Sequence, residues 1–252
     1  MSKSKNSLLT LSCGDAYGNA YEMDGLMGQT FTKKDLPHHA KIKNYTDDTK
    51  MAIILWKHYT QYHTIIEEVL FQSYAKWAKE DGYADGIGIH TAAVLLNGET
   101  NKSSQGNGVL MRVIPFGLRL IEEGIAFEKA LTLVNTDAAL THDNETIRIT
   151  NRLCLDIAIN GLDVLNKNVY HQILSELKQG YSAWVIHTLY DVLDVLKMNL
   201  HILDGFKELV SRGGDTDTNC AIYGAIRGYT NKLELNLNDF LDTSSQDILL
   251  SL

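Results

Sequence analysis

The 252-residue sequence carries 31 acidic and 23 basic side chains, a formal net charge of −8, which argues against non-specific nucleic-acid binding because phosphate contacts need a basic face. No stretch approaches the roughly 18 apolar residues that a transmembrane helix requires, so we expect no membrane span. The three cysteines are widely spaced and form neither a disulfide framework nor a zinc pattern, so we expect a reducing compartment and a cytoplasmic protein.

Apolar residues recur at helical spacing through most of the chain, and strand-like alternation is nearly absent. The first helical stretch, residues 8–22, has small residues at alternate positions, which permit close helix packing, and it ends at Glu22. Residues 23–45 show no clear period and are predicted to form a long loop. Further helices are predicted over residues 47–61, 64–79, 91–96, 126–137, 144–159, 168–178, 181–197, 202–212, 216–229 and 235–252. Since the sequence has neither a linker nor a repeat, it predicts one all-α domain over residues 1–252.

An acidic helix start is present at residues 46–49 (Thr-Asp-Asp-Thr), directly before an apolar run. Acids in a first helical turn can simply complement the helix dipole, and a threonine there can cap the free amide hydrogens. By itself, this cluster indicates no more than a well-capped helix.

A second start of the same construction is present at residues 213–218 (Gly-Gly-Asp-Thr-Asp-Thr), again before an apolar run. Carboxylate and hydroxyl oxygens are the ligands that Mg²⁺, Ca²⁺ and Mn²⁺ prefer, whereas zinc prefers histidine and cysteine. A capped helix explains this motif alone equally well. A calcium loop of the EF-hand type is excluded, because that pattern needs glycine where Cys220 stands and glutamate where Ile226 stands.

The two acidic clusters together carry more information than either alone. If both helix starts face one cavity, they supply four carboxylates and up to four hydroxyls. That set suffices for a two-metal site, which orients a nucleophilic water and stabilises developing charge. Four carboxylates that converge without metal would repel one another, so the ions would also stabilise the fold.

Three further features are consistent with a binding site but are specific to none. The polar loop 99–108 ends in Gly-Asn-Gly before an apolar run, and exposed amides before a helix can bind an anion, although most such loops only turn the chain. His142 follows Thr141 at a helix junction, where a histidine is more often capped or partly buried than part of a site. A lone acid such as Glu22 is also more often a solvated helix end.

Five motifs thus follow one another along the chain: Gly14-Asp15-Ala16-Tyr17-Gly18 with Glu22; Thr46-Asp47-Asp48-Thr49 with Met51; Gly106-Asn107-Gly108 with Met111, Arg112 and Pro115; Thr141-His142; and Gly213 to Thr218. Their order and content resemble the ADP-ribosylglycohydrolase family over roughly residues 8–230. The pairing of the two acidic motifs is highly specific for this resemblance, whereas Thr141-His142 is not.

The resemblance implies an orthogonal all-α bundle whose central cleft holds two Mg²⁺ or Mn²⁺ ions and binds the ADP-ribose moiety of an ADP-ribosylated substrate. In relatives the loop equivalent to residues 104–108 approaches the diphosphate, and His142 would lie near the adenosine. The metal ligands that the resemblance implies are Thr46, Asp47, Asp48, Asp215, Asp217 and Thr218. The substrate-binding residues that it implies are Ser104, Gly106, Asn107, Gly108, Met111, His142 and Gly214.

The resemblance leaves the catalytic acid open. Glu22 matches an acid that some relatives use near the scissile bond, whereas others use an aspartate in the loop equivalent to residues 81–88. In that loop Gly86-Ile87-Gly88 stands where the family usually has Asp-Ile-Gly, so Asp85 is displaced by one position. The candidate catalytic residues are therefore Glu22, Asp85 and the metal ligand Asp47.

The expected reaction is hydrolysis of the bond between the distal ribose and an acceptor group, with release of ADP-ribose. Two other functions stay open. One is a non-catalytic ADP-ribose or nucleotide binder on the same scaffold, and the other is a dinuclear phosphohydrolase, which the two aspartate clusters would also serve. The acceptor group does not follow from the resemblance, and we expect a monomer.

Overall fold

The computed structural model describes residues 1–231 and 234–252, and over these residues the structure is helical and contains no β-strand. The predicted all-α class is confirmed. No described helix is both long and apolar enough to cross a lipid bilayer. The α-helices of the described residues are α1 (Lys3–Asn19), α2 (Glu22–Leu26), α3 (Asp47–Tyr62), α4 (Glu67–Trp77), α5 (Ile89–Asn97), α6 (Leu110–Glu122), α7 (Phe127–Ala138), α8 (Glu145–Asn160), α9 (His171–Glu176), α10 (Val185–Lys197), α11 (Ile202–Arg212), α12 (Thr216–Thr230) and α13 (Thr243–Ser251).

Residues 177–184 depart most from the predicted helices. The sequence pattern predicts a helix from residue 181, whereas α10 begins only at Val185. The preceding segment instead pairs with the loop before α6, where Asn107 N donates to Ala183 O at 2.9 Å. Tertiary hydrogen bonds therefore replace local helical ones in this segment.

Three other boundaries also differ from the prediction. Helix α2 lies partly within residues 23–45, predicted to be one long loop, and this stretch also contains a 3₁₀ turn over Lys33–Asp35. The predicted helix over residues 168–178 is a 3₁₀ turn followed by the short helix α9. The predicted helix over residues 235–252 is shortened to α13, because the side chain of Asp242 caps its first turn.

Glycines allow α1 and α12 to cross with their backbones in contact. A Cβ atom at Gly14 would lie less than 3.0 Å from the carbonyl oxygen of Cys220, and one at Gly18 would lie equally close to that of Thr216. Gly224 of α12 meets the backbone of α1 in the same way. Only glycine permits this approach, so the close packing predicted for the first helix is confirmed.

Replacing Gly18 by alanine should destabilise the protein. The added methyl group would meet the backbone of Thr216 and Asp217, and overpacking of this kind costs about 1–3 kcal/mol. The measurement is the free energy of unfolding, from urea titration followed by far-UV circular dichroism. Gly82→Ala is the matched control, since its Cβ would meet only side chains, at 3.4 Å or more. Equal stability of the two variants would contradict the backbone contact between α1 and α12.

Candidate active site

The carboxylate of Asp15, on α1, holds the first turn of α3 in place. It accepts hydrogen bonds from the amide nitrogens of Thr46 and Thr49, at 3.0 and 3.1 Å, and from their hydroxyls, at 2.7 and 2.6 Å. Burial raises the pKa of Asp15 to about 6, although these hydrogen bonds favour the charged form. Sequence reasoning missed Asp15 as a site residue. The available signal was the only acid in α1, which stands between the small residues Gly14 and Ala16.

The start of α12 depends on Gly213 and Gly214. Both have a φ of +76°, which glycine adopts without strain, and a Cβ atom at Gly213 would lie less than 3.0 Å from Gln29 O. Gly214 N donates to Gly25 O at 2.9 Å, so this turn is tied to α2, which begins at Glu22. Gly214 shapes the site through this backbone contact and is not among the residues that line the cavity described below.

The two acidic helix starts meet in the fold. Thr218 Oγ1, on α12, donates to Asp48 Oδ1, on α3, at 3.1 Å. Two groups of three acids each have carboxylate oxygens within 4.8 Å of one another: Asp15, Asp48 and Asp217, and Glu22, Asp215 and Asp217. Asp47 lines the cavity described below, together with Glu22, Asp215 and Asp217. We call the following six residues the acidic cluster: Asp15, Glu22, Asp47, Asp48, Asp215 and Asp217.

All members of the acidic cluster except the half-buried Glu22 are buried, and the described residues provide no cationic partner. Within residues 1–231 and 234–252, no lysine or arginine forms an ion pair with any of its members. Burial, and after it the neighbouring carboxylates, raise the pKa of Asp47, Asp48 and Asp217 well above the usual range. Asp48 Oδ2 is buried without a hydrogen-bond partner. Unpaired carboxylate oxygens are ligands for hard divalent cations, so these residues fit a metal centre.

Glu22 is the half-buried member of the acidic cluster. It is the first residue of α2 and lines the cavity. Burial, and after it the charges of Asp215 and Asp15, raise the pKa of Glu22 to about 7. A carboxyl group with this pKa can both hold and release a proton near neutral pH.

Four members of the acidic cluster, Glu22, Asp47, Asp215 and Asp217, line a cavity of about 500 Å³. Asn107 lines the same cavity, and its Nδ2 donates to Asp215 Oδ2 and to Thr188 Oγ1, each at 2.9 Å. The described wall contains no lysine and no arginine. The wall residues that were predicted to bind substrate are Ser104, Gly106, Asn107, Gly108, Met111 and His142.

Sequence reasoning missed much of the cavity wall. Trp184 lines the cavity, and its Nε1 donates to Gln105 Oε1 at 2.9 Å. His90 packs edge-on against His142, with ring centroids 4.8 Å apart. The other wall residues that were not predicted are Leu26, Gly86, Ile87, Gly88, Ile89, Thr91, Ser182 and Ala183. Most come from the loop before α5, where Gly86-Ile87-Gly88 had been compared with the family's Asp-Ile-Gly but not assigned to the site, and from the segment before α10, which carries no recognisable motif.

Asp85 lies beside the acidic cluster, but its carboxylate has other partners. Its Oδ2 accepts from Trp77 Nε1 at 2.8 Å and lies 3.8 Å from Lys50 Nζ. Its backbone carbonyl accepts from Asp47 N at 2.8 Å, so Asp85 supports the start of α3 through the main chain. Gly86 lines the cavity, whereas Asp85 does not.

The sequence matches a known protein family over most of its length. The model of the family described as ADP-ribosylglycohydrolase matches residues 1–234. The chain belongs to the ADP-ribosylglycohydrolase family. The resemblance that the sequence motifs indicated is therefore confirmed.

Individual relatives agree with this membership. A protein of Acanthamoeba polyphaga mimivirus, provisionally named an ADP-ribosyl glycohydrolase, is 23% identical over 295 residues, which cover 90% of this chain and 86% of the relative. A solved structure described as an ADP-ribosylglycohydrolase-related protein complex has a TM-score of 0.74 at 22% identity and covers 98% of this chain and 94% of its own. The all-α architecture is thus the ADP-ribosylglycohydrolase fold.

Without divalent cations, the protein should lose stability as the pH rises through the pKa of Glu22. Folding raises this pKa from 4.5 to about 7, so between these values the folded state binds more protons than the unfolded state. Stability must therefore fall with increasing pH in this window. The measurement is the free energy of unfolding in chelator-treated buffer across that range.

Comparison of wild type with Glu22→Gln isolates the contribution of Glu22 to the pH dependence of stability, because the other titrating groups are present in both proteins. Wild type should lose more stability than Glu22→Gln between the two pKa values. Parallel stability curves would contradict the raised pKa.

Proposed function

We propose that the protein is a metal-dependent hydrolase that cleaves the glycosidic bond between ADP-ribose and an acceptor group and releases ADP-ribose. Family membership supports an ADP-ribosyl bond as the substrate. The proposed metal dependence is supported by the acidic cluster, because none of its carboxylates forms an ion pair with a described lysine or arginine. In addition, Asp48 Oδ2 is buried without a hydrogen-bond partner. Carboxylates at such distances repel one another unless cations lie between them.

The residues that would hold two Mg²⁺ or Mn²⁺ ions lie at the starts of α3 and α12. The Thr46 hydroxyl donates its hydrogen to Asp15, which leaves lone pairs of Thr46 Oγ1 available to a cation. When bound, such ions would hold ribose hydroxyls and lower the pKa of a water molecule, which suits hydrolysis of a glycosidic bond. The proposed ligands are Thr46, Asp47, Asp48, Asp215, Asp217 and Thr218.

The loop before α6 offers an amide to the diphosphate. The amides of Gly106 and Asn107 donate to acceptors within the protein, whereas Gly108 N has no such partner among the described residues. Gly108 precedes α6 within a 3₁₀ turn, at the end where the helix dipole favours negative charge. This loop would position the substrate without taking part in bond cleavage.

Two aromatic rings of the cavity wall suit the adenosine. Trp184 and His142 both line the cavity, and the hydrogen bond from Trp184 to Gln105 holds the indole in place. An aromatic ring stacks on bases with little dependence on sequence, because every base has a π-face. We therefore expect the base to stack on Trp184 and the adenosine to contact His142, which is only 3% exposed.

Glu22 is the better placed of the two candidate acids. It lines the cavity, where its carboxyl group can give a proton to the leaving group or take one from water. The Asp85 carboxylate is bonded to Trp77 instead. We therefore assign the proton transfer to Glu22.

Asp215→Asn should lower hydrolysis at least about 100-fold and weaken ADP-ribose binding, because it removes charge from a proposed metal ligand. The measurement is release of ADP-ribose, by chromatography, from arginine-, serine- and nucleic-acid-linked ADP-ribose in the presence of Mg²⁺ or Mn²⁺. Asp163→Asn is the matched control, since this aspartate is exposed on a 3₁₀ turn away from the cavity.

The same assay separates the alternative functions. A binder would capture the modified substrate stoichiometrically and release no product. A dinuclear phosphohydrolase would release phosphate or AMP in place of ADP-ribose. Full wild-type activity in the presence of a strong chelator would overturn the metal dependence, and the linkage that is cleaved fastest would identify the acceptor group.

Glu22→Gln should lower kcat about 100-fold or more with little change in KM, because glutamine cannot transfer a proton. Asp85→Asn should cost less than about tenfold, since it alters only hydrogen bonds outside the cavity. Steady-state kinetics on the best substrate of the panel measures both parameters. The opposite ranking of the two variants would assign the proton transfer to Asp85.

A further inference from the structure

Arg112 lies at the centre of a buried polar network beside the cavity. Its guanidinium is fully buried and pairs with Asp137, with Nε 2.8 Å from Oδ2. Its Nη1 donates to Gly108 O and its Nη2 to Thr141 Oγ1, both at 2.9 Å. The Arg112 side chain therefore fixes the position of Thr141 relative to the loop before α6.

The Thr141 hydroxyl has one available acceptor for its hydrogen among the described residues, namely His142 Nδ1. Thr141 is fully buried, and its Oγ1 lies 2.9 Å from His142 Nδ1 and 2.9 Å from Arg112 Nη2. A guanidinium can only donate, so it occupies a lone pair of the hydroxyl oxygen. Among the described residues, His142 Nδ1 is then the available acceptor for the hydroxyl hydrogen. If Nδ1 were itself protonated, a buried hydroxyl hydrogen would stay unpaired, which is costly.

His142 is therefore a neutral imidazole in which Nδ1 is unprotonated and Nε2 carries the hydrogen. Burial, and after it the charge of Arg112, lower the pKa of His142 to about 3, which agrees with an uncharged ring. His90 supports the ring from the side, and its own Nε2 must donate to Thr141 O, 3.0 Å away, because a carbonyl only accepts.

His142 Nε2 has no hydrogen-bond partner in the part of the chain that the structure describes. The side chain is only 3% exposed, and that surface lines the cavity. Nε2 lies so close to the backbone of Gly106 that a Cβ atom there would be 3.2 Å away. A donor on a nearly buried side chain that lines a cavity, without a partner among the described residues, is a group that a ligand would satisfy.

We propose that Arg112 and Thr141 fix His142 as a neutral Nε2–H donor toward a hydrogen-bond acceptor on the adenosine half of the ligand. Arg112 and Thr141 are positioning residues, since neither lines the cavity. The tautomer assignment follows from protein contacts alone, whereas the assignment of the acceptor to the adenosine half depends on the proposed ADP-ribose function.

The tautomer can be measured directly by NMR. In the wild-type protein labelled with ¹⁵N-histidine, a long-range ¹H–¹⁵N correlation spectrum at neutral pH should show His142 with a protonated Nε2 and an unprotonated Nδ1. The signals that vanish in His142→Phe assign the ring. A protonated Nδ1, or a charged imidazolium, would overturn the proposal.

Thr141→Val tests the origin of the tautomer, because valine keeps the shape and removes the hydroxyl. The variant should show both tautomers of His142 and bind ADP-ribose about three- to tenfold more weakly, the effect expected for one lost hydrogen bond. Thr141→Ser should restore both properties. Thr132→Val is the matched control, because it makes the same substitution at an exposed site on α7, where the hydroxyl donates to Glu128 O.

Ribose 5-phosphate serves as a second ligand, because it lacks the adenosine half. Its affinity should be equal in wild type and Thr141→Val. A single unchanged tautomer and unchanged ADP-ribose affinity in Thr141→Val would overturn the positioning role. If wild-type His142 shows the stated tautomer but the protein does not bind ADP-ribose, the proposed function and the proposed ligand contact are both wrong. The tautomer assignment would still be correct.

Discussion

Repulsion between buried carboxylates is the constraint around which this site is built. Burial and the neighbouring charges raise the pKa of Asp47, Asp48 and Asp217, so the folded protein carries the cluster at a cost in free energy. Three α-helices begin in the cluster: α2 at Glu22, α3 at Asp47 and α12 directly after Asp215. The positive ends of their dipoles offset part of the repulsion, and the divalent cations of the proposed function would offset more.

A single helix, α1, positions both acidic helix starts. Gly18 brings its backbone against α12, where Thr216 Oγ1 donates to Gly18 O at 2.9 Å. One turn earlier, Asp15 binds the first turn of α3 through amides and hydroxyls. The geometry of the acidic cluster therefore depends on a backbone contact and on the buried carboxylate of Asp15, which sequence reasoning placed in a motif but not in the site.

Acids dominate the charge of the cavity wall. Glu22, Asp47, Asp215 and Asp217 line the cavity, whereas the described wall has no lysine or arginine. The nearby guanidinium of Arg112 is fully buried and paired with Asp137, so it organises the wall without presenting its charge to a ligand. Under the proposed function, an anionic diphosphate would meet the amide of Gly108, and positive charge would come from the bound ions.

Helical periodicity and capping chemistry act over a few residues, so the sequence by itself predicted the all-α class, the two acidic helix starts and the glycine turn before Asp215. The family resemblance added which distant motifs belong together. Local pattern could not show that Asp85 turns to Trp77, or that Trp184 completes the cavity wall. Those outcomes depend on hydrogen bonds and packing between residues far apart in the chain. In residues 181–184 such contacts even replace a predicted helix, because the main chain of this segment pairs with the loop before α6 instead of with itself.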